Sequence, residues 1–442
     1  MATTITPRIV TVNTTVTRAP TPSQLQQSGA LISLGGTTLS TDAYQFFGNL
    51  AELKTVLSSA GNYAELTDMA TTFFAQGNAV GLYVLELGTE STAGANIPAL
   101  QSWISSQMTQ VFYSYLIPAT WDGVEGVSSV TITNGGSGYT SVPTVTFSAP
   151  TSGTTATGTA VIQNGAVTQI IITNPGSGYT ATPTVTIGAP PTGTTATATA
   201  TDGSALAGIA NNYSSPNGKT YFHVTTTETN ITQYASIKSI IATVPSPTAA
   251  STEFQAAVLF YYMTALLPSA ATPGAILSYK WAYGVTPWAQ TPTNATNINT
   301  ILTAYGNVIL TGAEGAISTA SVFKGTTMDG EQIAWWYSVD WFQIQIKQAM
   351  AAAILNGSNT IPPLLYNQQG INTLEAVANN EAAASISFGL NLAASVTATP
   401  FYTYTQANPG SYNAGIYNGF TATVTPAVGF LTITFNIDAI QF

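Results

Sequence analysis

The sequence predicts an α+β or α/β multidomain fold with extended β-strand arms at both termini and a small all-β domain inserted in the middle. Three observations predict it: apolar and hydroxyl side chains alternate at both ends, helix and strand patterns alternate through the body, and Thr, Gly, Ala, Val and Pro dominate one central stretch. The predicted units are an N-terminal arm (1–19), an α/β domain (20–123), the inserted module (124–203), the continued α/β domain (204–310), a C-terminal core domain (311–417) and a C-terminal β arm (418–442).

The two arms carry the pattern of amphipathic strands. The C-terminal stretch 420–442 predicts two strands joined by a tight connection at 426–429, and the N-terminal arm alternates until Pro20. The apolar arm positions are Val10, Val12, Val16, Leu431, Ile433, Phe435 and Ile437. Such strands have little core of their own. We therefore expect them to join neighbouring subunits by strand addition.

Composition excludes several classes of function. Charged residues make up 6% of the 442 residues and the net charge is -10, which suits burial against partners. The eight basic residues are scattered, so we expect no nucleic-acid binding. There is no Cys and one His, His223, which excludes thiolate sites and paired imidazoles, and we expect no cofactor. The start of the chain has no secretory pattern, and the apolar run 256–267 is too short for membrane insertion.

The body alternates between helix and strand signals. Strands are predicted at 30–34, 80–87, 112–117, 220–226 and 317–323, and helices at 44–57, 64–74, 97–111, 206–213, 231–241, 252–267 and 368–384. Asp329, followed three residues later by Gln332, predicts a capping box that opens the longest helix, which Gly357 would end. This pattern predicts a layered α/β body.

The inserted module contains an internal repeat. Gly136–Thr140 and Gly176–Thr180 have the same sequence, and the copies align without a gap at a spacing of 40 residues. Each copy consists of short strand patterns separated by Gly and Pro turns. We expect a domain that projects from a surface loop.

Few residues are candidates for chemistry. Asp329 and Glu331 are expected at a helix N-terminus, where acidic side chains are favoured. Asp340 lies within the aromatic run of the long helix, so we expect it to be buried with an ion-pair or hydrogen-bond partner, a functional acid being the alternative. His223 is expected to be a half-buried strand residue. The sequence has no catalytic set, and we expect no enzyme activity.

Tyr139 and Tyr179 follow the repeated glycines of the module. We expect each ring to pack against its own hairpin. The alternative is that the rings are exposed and stack on sugar rings.

The order of several segments resembles the contractile-tail sheath proteins of myovirus-type bacteriophages, in a divergent branch of that family. The segments are Pro7–Asn13, Gly29–Gly35, Trp335–Gln348 with its Asp340-Trp341 step, Ile361–Pro363, Gly370–Val377 and the β-rich C-terminus. The resemblance covers the chain except about 124–203, so the inserted repeat departs from the sheath pattern.

The resemblance implies a sheath-protein fold and a structural role in the virion. Six subunits would form a ring, and rings would stack helically around the tail tube, with both arms crossing to neighbours. The other partners implied are the baseplate and tail-terminator proteins, and the location is the phage tail, assembled in the host cytoplasm. Contraction would drive the tube through the host envelope. The alternative from composition is another phage or cell-surface structural or adhesive protein with a glycan-binding β-repeat module.

Overall fold

The computed structural model describes residues 22–77, 79–311 and 319–431. The strands are β1 (Gly29–Ser33), β2 (Tyr44–Phe47), β3 (Leu82–Glu86), β4 (Ser114–Leu116), β5 (Glu125–Asn134), β6 (Val145–Phe147), β7 (Thr157–Gln163), β8 (Ala166–Asn174), β9 (Val185–Ile187), β10 (Thr197–Ser204), β11 (Tyr221–Thr225), β12 (Ile240–Thr243), β13 (Val308–Thr311), β14 (Ala320–Phe323), β15 (Asn391–Ala398) and β16 (Phe420–Pro426). The helices are α1 (Leu50–Val56), α2 (Tyr63–Ala75), α3 (Ile97–Ser106), α4 (Ala205–Asn211), α5 (Ala256–Ala265), α6 (Pro292–Thr303), α7 (Ile333–Gly357), α8 (Gln368–Ser387), α9 (Phe401–Ala407) and α10 (Ser411–Ala414).

A six-stranded sheet lies at the centre of the body, in the order β12–β11–β4–β1–β3–β2. Its strands are parallel except β2, which is antiparallel to β3. Helices α3 and α4 pack on one face, and α2 and α5 on the other. Because both faces are covered, β1 and β12 are buried along their whole length. Where α5 crosses β1, a Cβ added to Gly29 would lie 2.6 Å from the ring of Phe260, so the close packing requires glycine.

Two predicted helices of the body are wrong in part. Residues 44–47 form β2, and α1 begins only at Leu50, where the Asn49 side chain accepts a hydrogen bond from the backbone N–H of Glu52. The stretch 231–241 forms a short 3-10 helix followed by β12, which pairs with β11. In both cases a short apolar run has the length of a strand, and pairing within the sheet decides its conformation.

The predicted capping box at Asp329 is also wrong. The long helix α7 begins at Ile333, with Gln332 as its N-cap residue. One carboxylate oxygen of Asp329 accepts from the indole N–H of Trp336 at 2.9 Å, and the other accepts from the Thr327 hydroxyl at 2.6 Å. The Asp329 side chain therefore fastens the preceding loop to the first turn of the helix.

The C-terminal part is built on α7 and α8, with the two-stranded antiparallel sheet β15–β16 against them. Tyr337 and Trp341 of α7 share a buried cluster with Ala378 and Ala382 of α8 and Val396 of β15. The first strand of the predicted C-terminal arm, β16, thus pairs with β15 of its own chain. The predicted second strand of that arm lies outside the described residues from 432 onward.

The inserted module consists of three antiparallel ladders, and each ladder joins one repeat copy to the other. Strand β5 pairs with β10, β6 with β9, and β7 with β8. In the middle ladder Thr146 faces Thr186, its own equivalent in the other copy. The two copies are therefore related by a pseudo-two-fold axis that passes between these residues.

The module contacts the body in two places: where the chain enters and leaves it, and at the end of helix α4. The backbone N–H of Ala205 donates to the carbonyl of Val124 at 2.7 Å, so the residues flanking the module are adjacent. The Asn212 side chain, just after α4, donates to the carbonyl of Ile172 and accepts from its N–H, at 2.8 and 3.1 Å. A side chain at the C-terminal end of α4 thus holds the backbone of the module.

His223 lies on β11 at the centre of the sheet and is fully buried, more deeply than the expected half-buried position. Its ring meets Phe260 of α5 edge to face at 5.3 Å. Within the described residues neither ring nitrogen has a hydrogen-bond partner. Burial lowers the pKa of His223 from 6.5 to about 3, so the ring is neutral at pH 7.

We predict that His223→Leu raises the free energy of unfolding at pH 7.5 by about 1 kcal/mol, because it removes two desolvated nitrogens. In the unfolded chain His223 binds a proton below pH 6.5, whereas in the folded chain it does so only near pH 3. The wild type therefore loses stability as the pH falls from 6.5 towards 3. Thermal unfolding from pH 7.5 to 4.5 should show a smaller loss for the variant.

His223→Gln is the matched control, since it removes the titration but keeps polar atoms in the core. It should match the reduced pH dependence of His223→Leu without its gain at pH 7.5. A His223→Leu protein less stable than the wild type at pH 7.5 would show that the nitrogens are bonded in the folded state.

Candidate functional site: a two-stranded sheet in the apolar C-terminal part

Of the predicted arm positions, Leu431 lies within the described residues, and its carbonyl accepts a hydrogen bond from the Tyr279 hydroxyl at 2.6 Å. Just before it, the Gln332 side chain donates to the carbonyl of Gly429 and accepts from its N–H, both at 2.9 Å. The arm positions outside the described residues are Val10, Val12, Val16, Ile433, Phe435 and Ile437. Gly429, just before the second strand predicted for the arm, therefore lies at the N-terminal end of α7.

The sheet β15–β16 is amphipathic. Val396 is buried against α8, and Phe420 and Val424 are partly buried in the same cluster. The hydroxyl side chains of the two strands point to the opposite side and are exposed. They are Ser395, Thr397, Thr421, Thr423 and Thr425. In the described ranges the sheet has two strands, and a sheet of two strands gains stability when a further strand pairs with it.

The C-terminal part of the chain exposes many apolar side chains. They are Ile354, Leu355, Ile361, Leu365, Ile386, Leu392, Tyr402, Tyr412, Ile416, Val428 and Phe430. No Lys or Arg follows Lys347 in the sequence. Extensive exposed apolar surface without basic charge is typical of a surface that is covered in an assembly.

Asp340 lies at the junction between α7 and the central sheet. Its carboxylate accepts hydrogen bonds from the hydroxyls of Tyr113 and Tyr221, both at 2.8 Å, and its second oxygen lies 3.9 Å from the ammonium of Lys238. All four side chains are buried, and Lys238 also stacks on the ring of Trp336 at 4.1 Å. Asp340 thus ties the longest helix to the residue before β4, to strand β11 and to the loop before β12.

Burial has the largest effect on the pKa values of Asp340 and Lys238. It raises the pKa of Asp340 from 3.8 to about 6, although Lys238 and the two tyrosines act in the opposite direction. Burial also lowers the pKa of Lys238, partly offset by Asp340. The partners of the carboxylate are two tyrosine hydroxyls and one ammonium, all buried with it, so its geometry is that of a structural anchor.

Tyr139 and Tyr179 are 4% and 5% exposed. The Tyr139 hydroxyl accepts from the N–H of Ala196 at 2.8 Å, and the Tyr179 hydroxyl accepts from the N–H of Ala156 at 2.8 Å. Each tyrosine hydroxyl therefore bonds to the other repeat copy, a contact that the sequence did not predict. Neither ring has a free face for stacking on a sugar, so the glycan contact expected as an alternative at these residues is not supported.

We predict that Asp340→Leu destabilises the protein by about 3 kcal/mol or more, because it leaves two buried hydroxyls and a buried ammonium without their acceptor. Asp202→Asn is the control: Asp202 is exposed and accepts one hydrogen bond, from Thr182. It should change the unfolding midpoint little. Chemical denaturation of both variants measures the difference, and equal midpoints would contradict an anchoring role.

Asp340→Asn isolates the pH dependence. The folded-state pKa of about 6 exceeds that of the unfolded chain, so the stability that proton binding contributes is present below about pH 4 and is lost as the pH rises through 6. The stability of the wild type relative to Asp340→Asn should therefore fall between pH 4 and 7. A constant difference would show an ordinary carboxyl pKa.

Comparison with known proteins supports the resemblance at the level of the fold. A chain of the anti-feeding prophage (AFP) baseplate aligns with 99% of this chain and 100% of its own length, with a TM-score of 0.55 and 9% identity. A chain of the PVC sheath complex, from an extracellular contractile injection system in the contracted state, aligns with 99% of this chain and 98% of its own, with a TM-score of 0.53 and 11% identity. No family model and no curated protein matches the sequence.

Both alignments run through almost the whole chain, so they include the central sheet, the long helix α7 and the sheet β15–β16. In the described ranges no helix has the length and apolarity needed to span a bilayer, and no three His, Asp or Glu side chains converge as metal ligands. The chain has the fold of contractile sheath proteins.

Proposed function

We propose that this chain is the subunit of a contractile tail sheath. Six copies would form a ring, and the rings would stack helically around a tail tube between the baseplate and the tail terminator. On triggering, the sheath would shorten and drive the tube through the host envelope to deliver the genome. The observation that carries this proposal is the alignment of 99% of the chain with a chain of the PVC sheath complex.

The surface chemistry supports the same proposal. Eleven of the 19 large apolar side chains that are exposed in the described ranges lie between Ile354 and Phe430, where neighbouring subunits or the tube would cover them. Strand addition by the two arms would join the subunits through backbone hydrogen bonds, which keep their geometry when the subunits rotate. The division into units at 19, 123, 203, 310 and 417 remains part of this proposal.

The adhesive alternative rests on glycan binding by the module. The burial of Tyr139 and Tyr179 removes the sugar-stacking residues on which it depends. Negative-stain electron microscopy of the purified protein across a concentration series separates the two functions. Hollow tubes or stacked six-fold rings are expected, whereas trimers with a fibrous outline would contradict the sheath proposal.

The role of the C-terminal arm can be tested by substituting its apolar and its polar positions separately. Replacing Ile433, Phe435 and Ile437 with Ser should leave the subunit folded and abolish tubes, because it removes the apolar side of the added strand. Replacing Thr432, Thr434 and Asn436 with Ser is the matched control and should leave tubes intact. Tubes formed by the first variant would refute the role of the arm.

The module should be dispensable for assembly. Val124 and Ala205 are already hydrogen-bonded neighbours, so a two-glycine link can replace residues 125–204 without moving either residue far. We expect the shortened chain to fold and to form tubes. Removing only one copy, residues 165–204, should instead cause aggregation, because every ladder of the module joins the two copies. Failure of the shortened chain to fold would show that the module belongs to the core.

A further inference from the structure

The two copies of the inserted module have the same backbone arrangement around a pair of equivalent isoleucines, Ile132 in β5 and Ile172 in β8. Ile132 faces Ala198 in the register and Ile172 faces Gly158, and the same irregularity of the ladder adjoins both pairs. The 40-residue offset of the repeat relates one pair to the other. The backbone N–H and C=O of Ile132 therefore point away from their ladder, as those of Ile172 do.

In the second copy these groups are bonded to the end of α4. The Asn212 side chain donates to the carbonyl of Ile172 at 2.8 Å and accepts from its N–H at 3.1 Å. The side chain of the preceding Asn211 donates to the carbonyl of Ser128, in β5, at 2.8 Å. Two consecutive carboxamides thus connect β5 to β8, and Ile172 is buried beneath them.

Strands β5 and β8 also bond to each other directly at two points. The N–H of Val127 donates to the carbonyl of Pro175, and the N–H of Val167 donates to the carbonyl of Gly135, both at 2.8 Å. The offset of the repeat relates these two bonds as well. The pair of strands therefore has two equivalent halves, and the end of α4 is bonded to one of them.

The other half is free within the described residues. Its equivalent groups are the N–H and C=O of Ile132 and the C=O of Thr168, the counterpart of Ser128. No described group outside the module's own ladders bonds to any of the three. Ile132 is partly exposed and Thr168 is exposed, whereas Ile172 and Ser128 are buried. Unpaired backbone groups at a strand edge are ready to bind a partner.

The occupied half defines the chemistry of the ligand. A carboxamide has one donor and one acceptor side by side, so it can bond to the N–H and the C=O of one residue. Helix α4, with the sequence ALAGIAN, has no charged residue. The exposed side chains at the free half are also uncharged, so a charged partner would lose hydration there without gaining a counter-ion. They are Thr131, Thr133, Asn134, Gln163, Thr168 and Gln169.

We propose that the free half is a binding site for a partner protein, which places the asparagine-bearing end of an uncharged helix against β5 and β8. The partner asparagine bonds to Ile132 as Asn212 bonds to Ile172. The module then holds a helix of its own chain on one half and a helix of the partner on the other. This inference goes beyond the proposed sheath function and does not depend on it.

Hydrogen exchange of single backbone amides in the full chain tests whether the two halves differ. We expect the amide of Ile172 to exchange about ten-fold more slowly than that of Ile132, or more slowly still. Asn212→Ala should bring the two rates to within about two-fold of each other, because it removes the acceptor of the Ile172 N–H. The rate of Ile132 should not change in this variant.

A tethered probe tests what the free half binds. The turn at Asn164 and Gly165 is equivalent to the point where the chain passes from β10 into α4, and Asn164 is exposed. An exposed turn tolerates insertion, so a second copy of residues 205–212 can be inserted there between flexible glycine–serine linkers. This insert should slow the exchange of the Ile132 amide about ten-fold. The matched control is the same insert with both asparagines replaced by alanine, which should leave the rate unchanged.

Slow exchange of Ile132 in the unmodified chain at low concentration would overturn the inference, because the chain itself would then fill the site. Equal rates with the two inserts would show that the free half does not recognise carboxamides, and would also overturn it. Protection of Ile132 that rises with the concentration of the unmodified protein would show that a second copy fills the site, and would overturn the assignment to a different protein.

Discussion

The structure depends on one recurring interaction, in which a carboxamide side chain bonds to both the N–H and the C=O of one distant residue. The pairs are Gln76 with Tyr283, Asn212 with Ile172, Asn307 with Thr326, Gln332 with Gly429, and Asn379 with Val396. A carboxamide offers a donor and an acceptor at the spacing of a peptide group, so each pair reproduces one step of strand pairing. These bonds connect helix to loop, module to body and arm to helix.

This interaction fits the low charge of the chain. Within the described ranges one ion pair forms, between Lys238 and Asp340, and both partners are buried. Acidic side chains mostly accept from backbone and hydroxyl donors instead. Glu86, for example, accepts from the N–H groups of Gly35 and Gly88, both at 2.8 Å. Because little of this network consists of exposed ion pairs, salt should affect the stability of the subunit weakly.

Sequence patterns predicted those parts of the fold that are set locally. Strands β1, β3, β4 and β11 and helices α2, α7 and α8 follow from long or strongly apolar patterns. Helix α6 is not predicted, because its sequence, PTNATNINTILT, is too polar to show a helical apolar face. The helix predictions over β2 and β12 are wrong, because short apolar runs fit both structures until their neighbours in the sheet are known.

The strand character of the candidate site could be predicted from the sequence, but the pairing and the side-chain contacts of its strands could not. Alternation identified β16 as a strand, but β15 and its pairing with β16 depend on residues over 20 positions apart. Asn379 and Glu375, which bond to the backbone of β15, stand four residues apart on a helix, a spacing typical of ordinary surface pairs. Likewise, the 40-residue repeat predicted two similar copies but carried no information on whether Tyr139 bonds within its copy or to the other one.

Close contacts between the two copies of the module limit which substitutions either copy can accept. Gly138 shows the constraint: a Cβ there would lie 1.7 Å from the carbonyl oxygen of Thr192, in the other copy, and Gly178 stands in the same relation to Ser152. A substitution in one copy must therefore be accommodated by the other, although 40 residues separate equivalent positions. The module thus has the contacts of a two-fold symmetric dimer within a single chain, with each copy completing the packing of the other.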